Sequence, residues 1–137
     1  MNLKALVACL TIALTVAACD DNQGDDDLEA SAVDSAGRRI FQQRCSACHV
    51  AVAEQNRVGP HLLGLFGRPA GAVSDFQYSD AMASADIVWA DETLAAYLRA
   101  PRDTIPGNRM AFAGLARDAD IAALLDYLRL VTAPGQD

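Results

Sequence analysis

Apolar residues recur with a helical period near both ends of the stretch from residue 34 to residue 132 and lose that period in its middle. Gly37, Ile40 and Phe41 share one face at spacings of three and four, which predicts an opening helix capped by Asp34 or Ser35 and running up to Cys45. Gly37 is out of place there, since glycine costs a helix about 1 kcal/mol relative to alanine. Its presence points to another backbone or ring in close approach. Leu94, Tyr97 and Leu98 form a second stripe, capped by Asp91-Glu92-Thr93 and stopped by Pro101. Ile121, Leu124, Leu125 and Leu128 form a third, with Asp118 as its cap and Arg129 in the last turn, where a cation suits the helix dipole. A short helix is expected from Ser79 to Ala85. Between Gln55 and Phe76 the glycines and prolines at 59, 60, 64, 67, 69 and 71 break any period, as irregular backbone wrapped around a flat body would. No strand run and no repeat is visible, so the fold class expected is all-α.

The N-terminal end follows another pattern. Lys4 and the apolar run from Ala5 to Ala18 read as a secretory leader over residues 1–18, a run shorter than the ~20 residues a helix needs to cross a bilayer. Val16-Ala17-Ala18-Cys19 resembles the bacterial lipobox, in which the cysteine is acylated and becomes the mature N-terminus. An ordinary leader cleaved near Ala18 is the alternative, and it would leave an unpaired thiol in an oxidising compartment. Residues 19–33 hold Asp20, Asp21, Asp25, Asp26, Asp27 and Glu29 and no base, so they repel one another and read as a tether. The domain is expected over 34–132, with a short tail at 133–137.

The 137 residues have room for one small domain, and the net charge of -7 argues against a nucleic-acid partner, which wants a basic surface. Much of that charge belongs to the tether. Of the 18 acids, 6 precede residue 34, which leaves 12 against 10 arginines and a net of -2 in the domain.

The chemistry is concentrated where the first helix should end, at Cys45-Ser46-Ala47-Cys48-His49. At this spacing two thiols can add to the two vinyl groups of one haem while the adjacent imidazole reaches its iron. A thiol-disulfide redox pair would sit beside a strand and helix of a mixed sheet, which this chain does not offer. A zinc site would need more ligands than Cys9, Cys19 and His61 supply. Covalently bound haem c also supplies the large rigid hydrophobe that so small and loop-rich a domain needs at its centre. For a second axial ligand the residues leave His61, Met82 and Met110 open. Met110 lies in an extended Pro-Gly segment that frees a side chain to point inward.

Gly59-Pro60, Leu65-Phe66-Gly67-Arg68, Phe76-Gln77-Tyr78, Trp89, Glu92-Thr93-Leu94, Tyr97-Leu98, the run from Pro106 to Gly114, and Tyr127-Leu128 follow in the order that class I cytochromes c show. From about Gly37 to Val131 the chain resembles the mitochondrial cytochrome c and bacterial cytochrome c2 type. The resemblance implies that the first and last helices cross where Gly37 and Phe41 meet Leu124 and Tyr127, with loops wrapped around one haem. It implies His49 and Met110 as axial ligands, with the Pro60 carbonyl accepting a hydrogen bond from His49. It also implies Arg68, Tyr78 and Trp89 at a buried propionate, Tyr97 beside the Met110 sulfur, and Asn108 at a propionate contact where the family usually has threonine. Met82 stands where the family commonly has asparagine. Lysine is absent from the domain, and Arg44, Arg57, Arg102, Arg109 and Arg117 fall on or next to the family's docking positions at the haem edge.

With histidine and methionine closing both axial positions, no site is left for a substrate, which describes an electron carrier and not an enzyme. The expectation is a monomer held by lipid on the periplasmic side of a bacterial membrane. It would carry electrons in a respiratory chain from a quinol:cytochrome c reductase to a terminal oxidase. A permanent haem subunit of an oxidase or dehydrogenase is one competing reading. A small haem peroxidase or gas sensor with a vacant sixth site is another.

Overall fold

The computed structural model describes residues 35–135, so the leader, Cys19, the acidic tether, Asp34 and the last two residues of the tail lie outside the described residues. Among the described residues five helices follow in order: α1 (35–44), α2 (Asp80–Ala83), α3 (Asp91–Arg99), α4 (Pro101–Thr104) and α5 (Asp118–Val131). Among the described residues the only extended pairing noted is an isolated antiparallel bridge between Pro69 and Val88. The all-α expectation holds.

The core forms where the three predicted stripes meet. Ile121, Leu124, Leu125 and Leu128 of α5 are buried with Leu94, Tyr97 and Leu98 of α3 and Phe41 of α1 in one cluster. Each such side chain taken from water contributes about 1.5–3 kcal/mol. The crossing of α1 and α5 accounts for the odd glycine. A Cβ on Gly37 would lie 2.0 Å from the Ala123 carbonyl oxygen and 2.6 Å from the Tyr127 Cβ, so only glycine lets the two helices approach this closely. One turn on, the Phe41 and Tyr127 rings lean together with centroids 5.6 Å apart. The backbone that Gly37 meets is that of Ala123, one residue before the expected Leu124.

The helix ends differ from expectation in four places. Asp118 does not cap α5: Arg117 occupies the N-cap position, and the Asp118 carboxylate, at the first helical residue, pairs with Arg99. In α3 the cap position belongs to Ala90, whose N–H is accepted by the Thr93 hydroxyl at 2.8 Å while that hydroxyl donates to the Val88 carbonyl at 2.7 Å. This is the reaching-back half of a capping box, supplied from inside the helix. Pro101 ends one helix by starting another, at the first turn of α4, where a missing N–H costs nothing. The helix expected from Ser79 to Ala85 is only Asp80–Ala83, because Ser79 is its cap and its hydroxyl accepts the Met82 N–H at 3.2 Å.

The long loop between α1 and α2 is cross-tied by its own backbone and anchored to the end of α5. Gly59 N–H donates to Cys48 O at 2.9 Å, Leu62 N–H to Val50 O at 2.8 Å, and Gly64 N–H to Thr132 O at 2.7 Å. Gly67 N–H donates to Trp89 O at 2.8 Å, and Trp89 N–H donates to Arg68 O at 3.0 Å. Arg129 adds a side-chain tie, paired with Asp91 of α3 while its guanidinium lies 4.6 Å from the centre of the Phe66 ring. These contacts hold the loop against the helices and keep a space open between them.

Candidate haem-binding site

That space is a cavity of about 550 Å³, within the ~300–1,000 Å³ usual for ligand clefts. Leu94, Leu98, Leu124 and Leu128 serve both the helical core and the cavity wall. The apolar stripes that build the domain therefore also require a hydrophobic body to cover them.

α1 ends in a turn in which the Cys48 and His49 N–H groups both donate to the Cys45 carbonyl, at 3.0 and 2.9 Å. This turn carries both thiols and the imidazole to the cavity. His49 Nδ1 lies 2.7 Å from the Pro60 carbonyl oxygen. A carbonyl can only accept, so Nδ1 holds the ring's proton and Nε2 keeps its lone pair for a metal. Burial pushes the His49 pKa below the ordinary imidazole value, against the opposing pull of the Pro60 bond, which favours the neutral ligand form. The Cys45 thiol is pushed up to about 11, by burial first and the neighbouring Cys48 second, with Arg44 acting the other way. Both cysteines are free of any disulfide.

Gly59 seats the ring. A Cβ at this position would fall 2.3 Å from His49 Cε1, so the imidazole lies directly on glycine backbone. The sequence marked Gly59 as a breaker of period and, with Pro60, as part of the family resemblance, but gave it no role toward the histidine; its pairing with Pro60 was the signal that could have assigned one.

Met110 comes to the same cavity from the extended segment after α4. The Tyr97 hydroxyl lies 3.9 Å from its sulfur, and burial pushes the Tyr97 pKa up to about 12, so the phenol remains a donor. Met82 also lines the cavity, whereas His61 does not. His61 sits half-buried in the loop, its N–H on Asn56 Oδ1 at 2.9 Å and its own Nδ1 without a hydrogen-bond partner among the described residues. Arg68, Tyr78 and Trp89 are brought together on the cavity wall. The Arg68 guanidinium donates to Leu63 O at 2.8 Å and His61 O at 2.9 Å. Burial lowers the Arg68 pKa and raises that of Tyr78. Trp89 packs on Tyr97 with centroids 5.1 Å apart. Asn108 is not on the wall, because its side chain is bonded to protein on every side.

The five arginines expected at the haem edge separate into distinct settings. Arg44 and Arg109 line the cavity, and Arg109 donates to Gln77 O at 2.9 Å. Arg57 donates to Ser46 O, also at 2.9 Å, beside the cysteine turn. These partners are neutral carbonyls, so the positive charge is not cancelled. Arg102 borders a different surface groove together with Phe112. Arg117 is bound to the Asp120 carboxylate, with Nε at 2.9 Å from Oδ2, and that pairing raises its pKa.

Two free thiols, a neutral imidazole with an open Nε2, a thioether and an apolar wall together form a donor set that fits haem c. A cytochrome c family profile matches residues 35–132. The cytochrome c2 iso-2 of Magnetospirillum fulvum is 47% identical over 85 residues, which cover 62% of this chain and 88% of that one. The cytochrome c2 of Afifella marina is 45% identical over 105 residues, 74% of this chain and 84% of that one. The cytochrome c of Stellaria longipes is 44% identical over 94 residues, 68% of this chain and 87% of that one. The chain belongs to the cytochrome c family: it is a haem electron carrier and not an enzyme, with one haem c bound covalently through Cys45 and Cys48.

Proposed function

We propose that this protein is a membrane-tethered shuttle on the periplasmic side of a bacterial membrane, moving single electrons from a quinol-oxidising complex to a terminal oxidase. The haem supplies the Fe(II)/Fe(III) couple. His49 and Met110 would hold its iron, and the observation that carries the reading is that both side chains line the same cavity. With both in place no position would be open to a substrate, and a thioether ligand would favour the ferrous state and raise the potential.

The chain's other residues serve this closed arrangement. Pro60 orients the histidine, Gly59 gives the ring its seat, and the Tyr97 hydroxyl bears on the methionine sulfur. Arg68, Tyr78 and Trp89 would hold a propionate, a reading supported by the half-buried cation and two ring donors on one wall. Arg44, Arg57 and Arg109 stand at or beside the cavity and give the domain a positive front toward an acidic partner despite a net charge of -7 for the chain. Residues 1–18 are the lipoprotein leader, Cys19 is the lipid-bearing N-terminus, 19–33 the tether and 34–132 the haem domain. Among the described residues no helix is long and apolar enough to cross a membrane, and an acyl chain on Cys19 would supply the attachment.

The test is to add quinol and then oxygen to membranes containing the full-length protein while following its haem band. A shuttle is reduced by quinol, reoxidised through the oxidase, and closed to CO when reduced. Rapid CO binding by the resting protein would favour the gas-binding reading, and co-purification in fixed ratio with an oxidase the subunit reading.

A further inference from the structure

Asn108 stands two residues ahead of Met110, and its carboxamide is used to capacity. Nδ2 donates to the Pro101 and Ile105 carbonyls, each at 2.8 Å. Oδ1 accepts the Met110 backbone N–H at 3.0 Å and the Tyr97 hydroxyl at 3.4 Å. A carboxamide has two N–H donors and two acceptor lone pairs, so nothing remains for a group inside the cavity. The four partners come from separate parts of the fold: Pro101 opens α4, Ile105 follows its end, Tyr97 belongs to α3, and Met110 lies on the extended segment beyond. Downstream, beyond the local Phe112 N–H to Met110 O bond, the segment returns to α3 through Leu115 N–H to Leu98 O at 2.9 Å.

We infer that Asn108 is the positioning residue for Met110, holding the methionine's main chain at a set distance from α3 and α4, and that it is not a contact of the cofactor. This rests on Met110 being the sixth ligand. The carboxamide also competes for a proton. Tyr97 has one hydroxyl hydrogen and two acceptors, Asn108 Oδ1 at 3.4 Å and Met110 Sδ at 3.9 Å, so Asn108 decides how far that hydrogen is withheld from the sulfur. Removing the carboxamide loosens the segment and frees the Tyr97 proton together, and the two effects are coupled through one oxygen.

The experiment titrates imidazole into the ferric holoprotein, since imidazole binds only where Met110 has left, and follows the sulfur-to-iron charge-transfer band. Wild type is compared with Asn108→Ala, Asn108→Thr and Leu125→Ala, a core change outside the cavity wall. Losing one well-made hydrogen bond is worth about a tenfold change in an equilibrium constant. Asn108→Ala should therefore raise the imidazole binding constant at least about tenfold. It should also speed hydrogen exchange at the Met110 amide. Asn108→Thr, which keeps one donor and one acceptor, should recover part of the loss, and it carries the test if the alanine variant does not fold. Leu125→Ala should lower the melting temperature and leave imidazole binding near wild type. Unchanged imidazole binding in both Asn108 variants, or an equal rise in Leu125→Ala, overturns the assignment and leaves Met110 ligation standing. A wild-type protein without the charge-transfer band removes the Met110 reading and this one with it.

Discussion

Gly59 has no side chain because the His49 imidazole occupies the place of one: a Cβ there would fall 2.3 Å from Cε1, 2.8 Å from Nδ1 and 2.9 Å from Nε2. The ring is thereby fixed from two directions, by glycine backbone beneath it and by the Pro60 carbonyl at 2.7 Å from Nδ1.

Gly59→Ala should push the imidazole off its seat and lengthen or break the bond to Pro60. Overpacking of this kind costs about 1–3 kcal/mol, and loss of an outer partner weakens a metal ligand by roughly 10–100-fold. The variant should keep haem on Cys45 and Cys48 but show a lowered melting temperature and a ferric spectrum of mixed spin. A spectrum and melting temperature equal to wild type would mean that the ring does not lie on Gly59.

Gly37→Ala tests the helix crossing by setting two effects against each other. Helix propensity alone favours alanine by about 1 kcal/mol, whereas a Cβ 2.0 Å from the Ala123 carbonyl must drive α1 and α5 apart. The clash should win, with a net destabilisation of about 2 kcal/mol in denaturant unfolding. A stabilised variant would place the two helices farther apart than described here.

The parts of this arrangement legible in the sequence are those set by local pattern. The Cys45 to His49 spacing, the stripes of α3 and α5, and the odd glycine at 37 each depend on residues close together in the chain, and each stands where the pattern put it. What escaped is set by partners distant in sequence. Asp118 looked like a cap because it precedes an apolar stripe, yet Arg99, 19 residues away, pairs with its carboxylate. Arg117, expected in a positive rim, is also paired with Asp120 on the surface. Asn108, expected at a propionate, has a carboxamide bonded to Pro101, Ile105 and Tyr97, partners that only the fold brings to it. Arg129 read as a dipole partner alone, whereas the folded chain also pairs it with Asp91 over the Phe66 ring.

The tether is tested at Cys19. Cys19→Ser should move the protein from membranes to the soluble periplasmic fraction with its spectrum unchanged, because on this proposal lipid and haem would be joined only through the acidic stretch 19–33. Mass spectrometry of the wild-type N-terminus checks the premise directly. An unacylated mature protein contradicts it.

Docking is tested by charge reversal in the soluble domain from Asp34 onward. Arg44→Glu, Arg57→Glu and Arg109→Glu should each slow the bimolecular reaction with the oxidase, and salt should slow wild type steeply as the screening length falls from ~30 Å at 0.01 M to ~10 Å at 0.1 M. Arg117→Glu should matter less, since Asp120 already opposes that charge. Arg38→Glu, exposed on α1 and on neither groove, is the control. Equal slowing by Arg38 and Arg57 reversals would deny the partner a preferred face.

The central claim, a six-coordinate carrier closed by His49 and Met110, is tested most directly by Met110→Ala, with the redox potential and CO binding measured on the same sample. Haem should stay attached through Cys45 and Cys48, the potential should fall because the thioether's preference for ferrous iron is gone, and the reduced variant should bind CO while the wild type does not. A variant that kept the wild-type potential and stayed closed to CO would contradict the claim, and would pass the sixth position to Met82, the other thioether on the cavity wall.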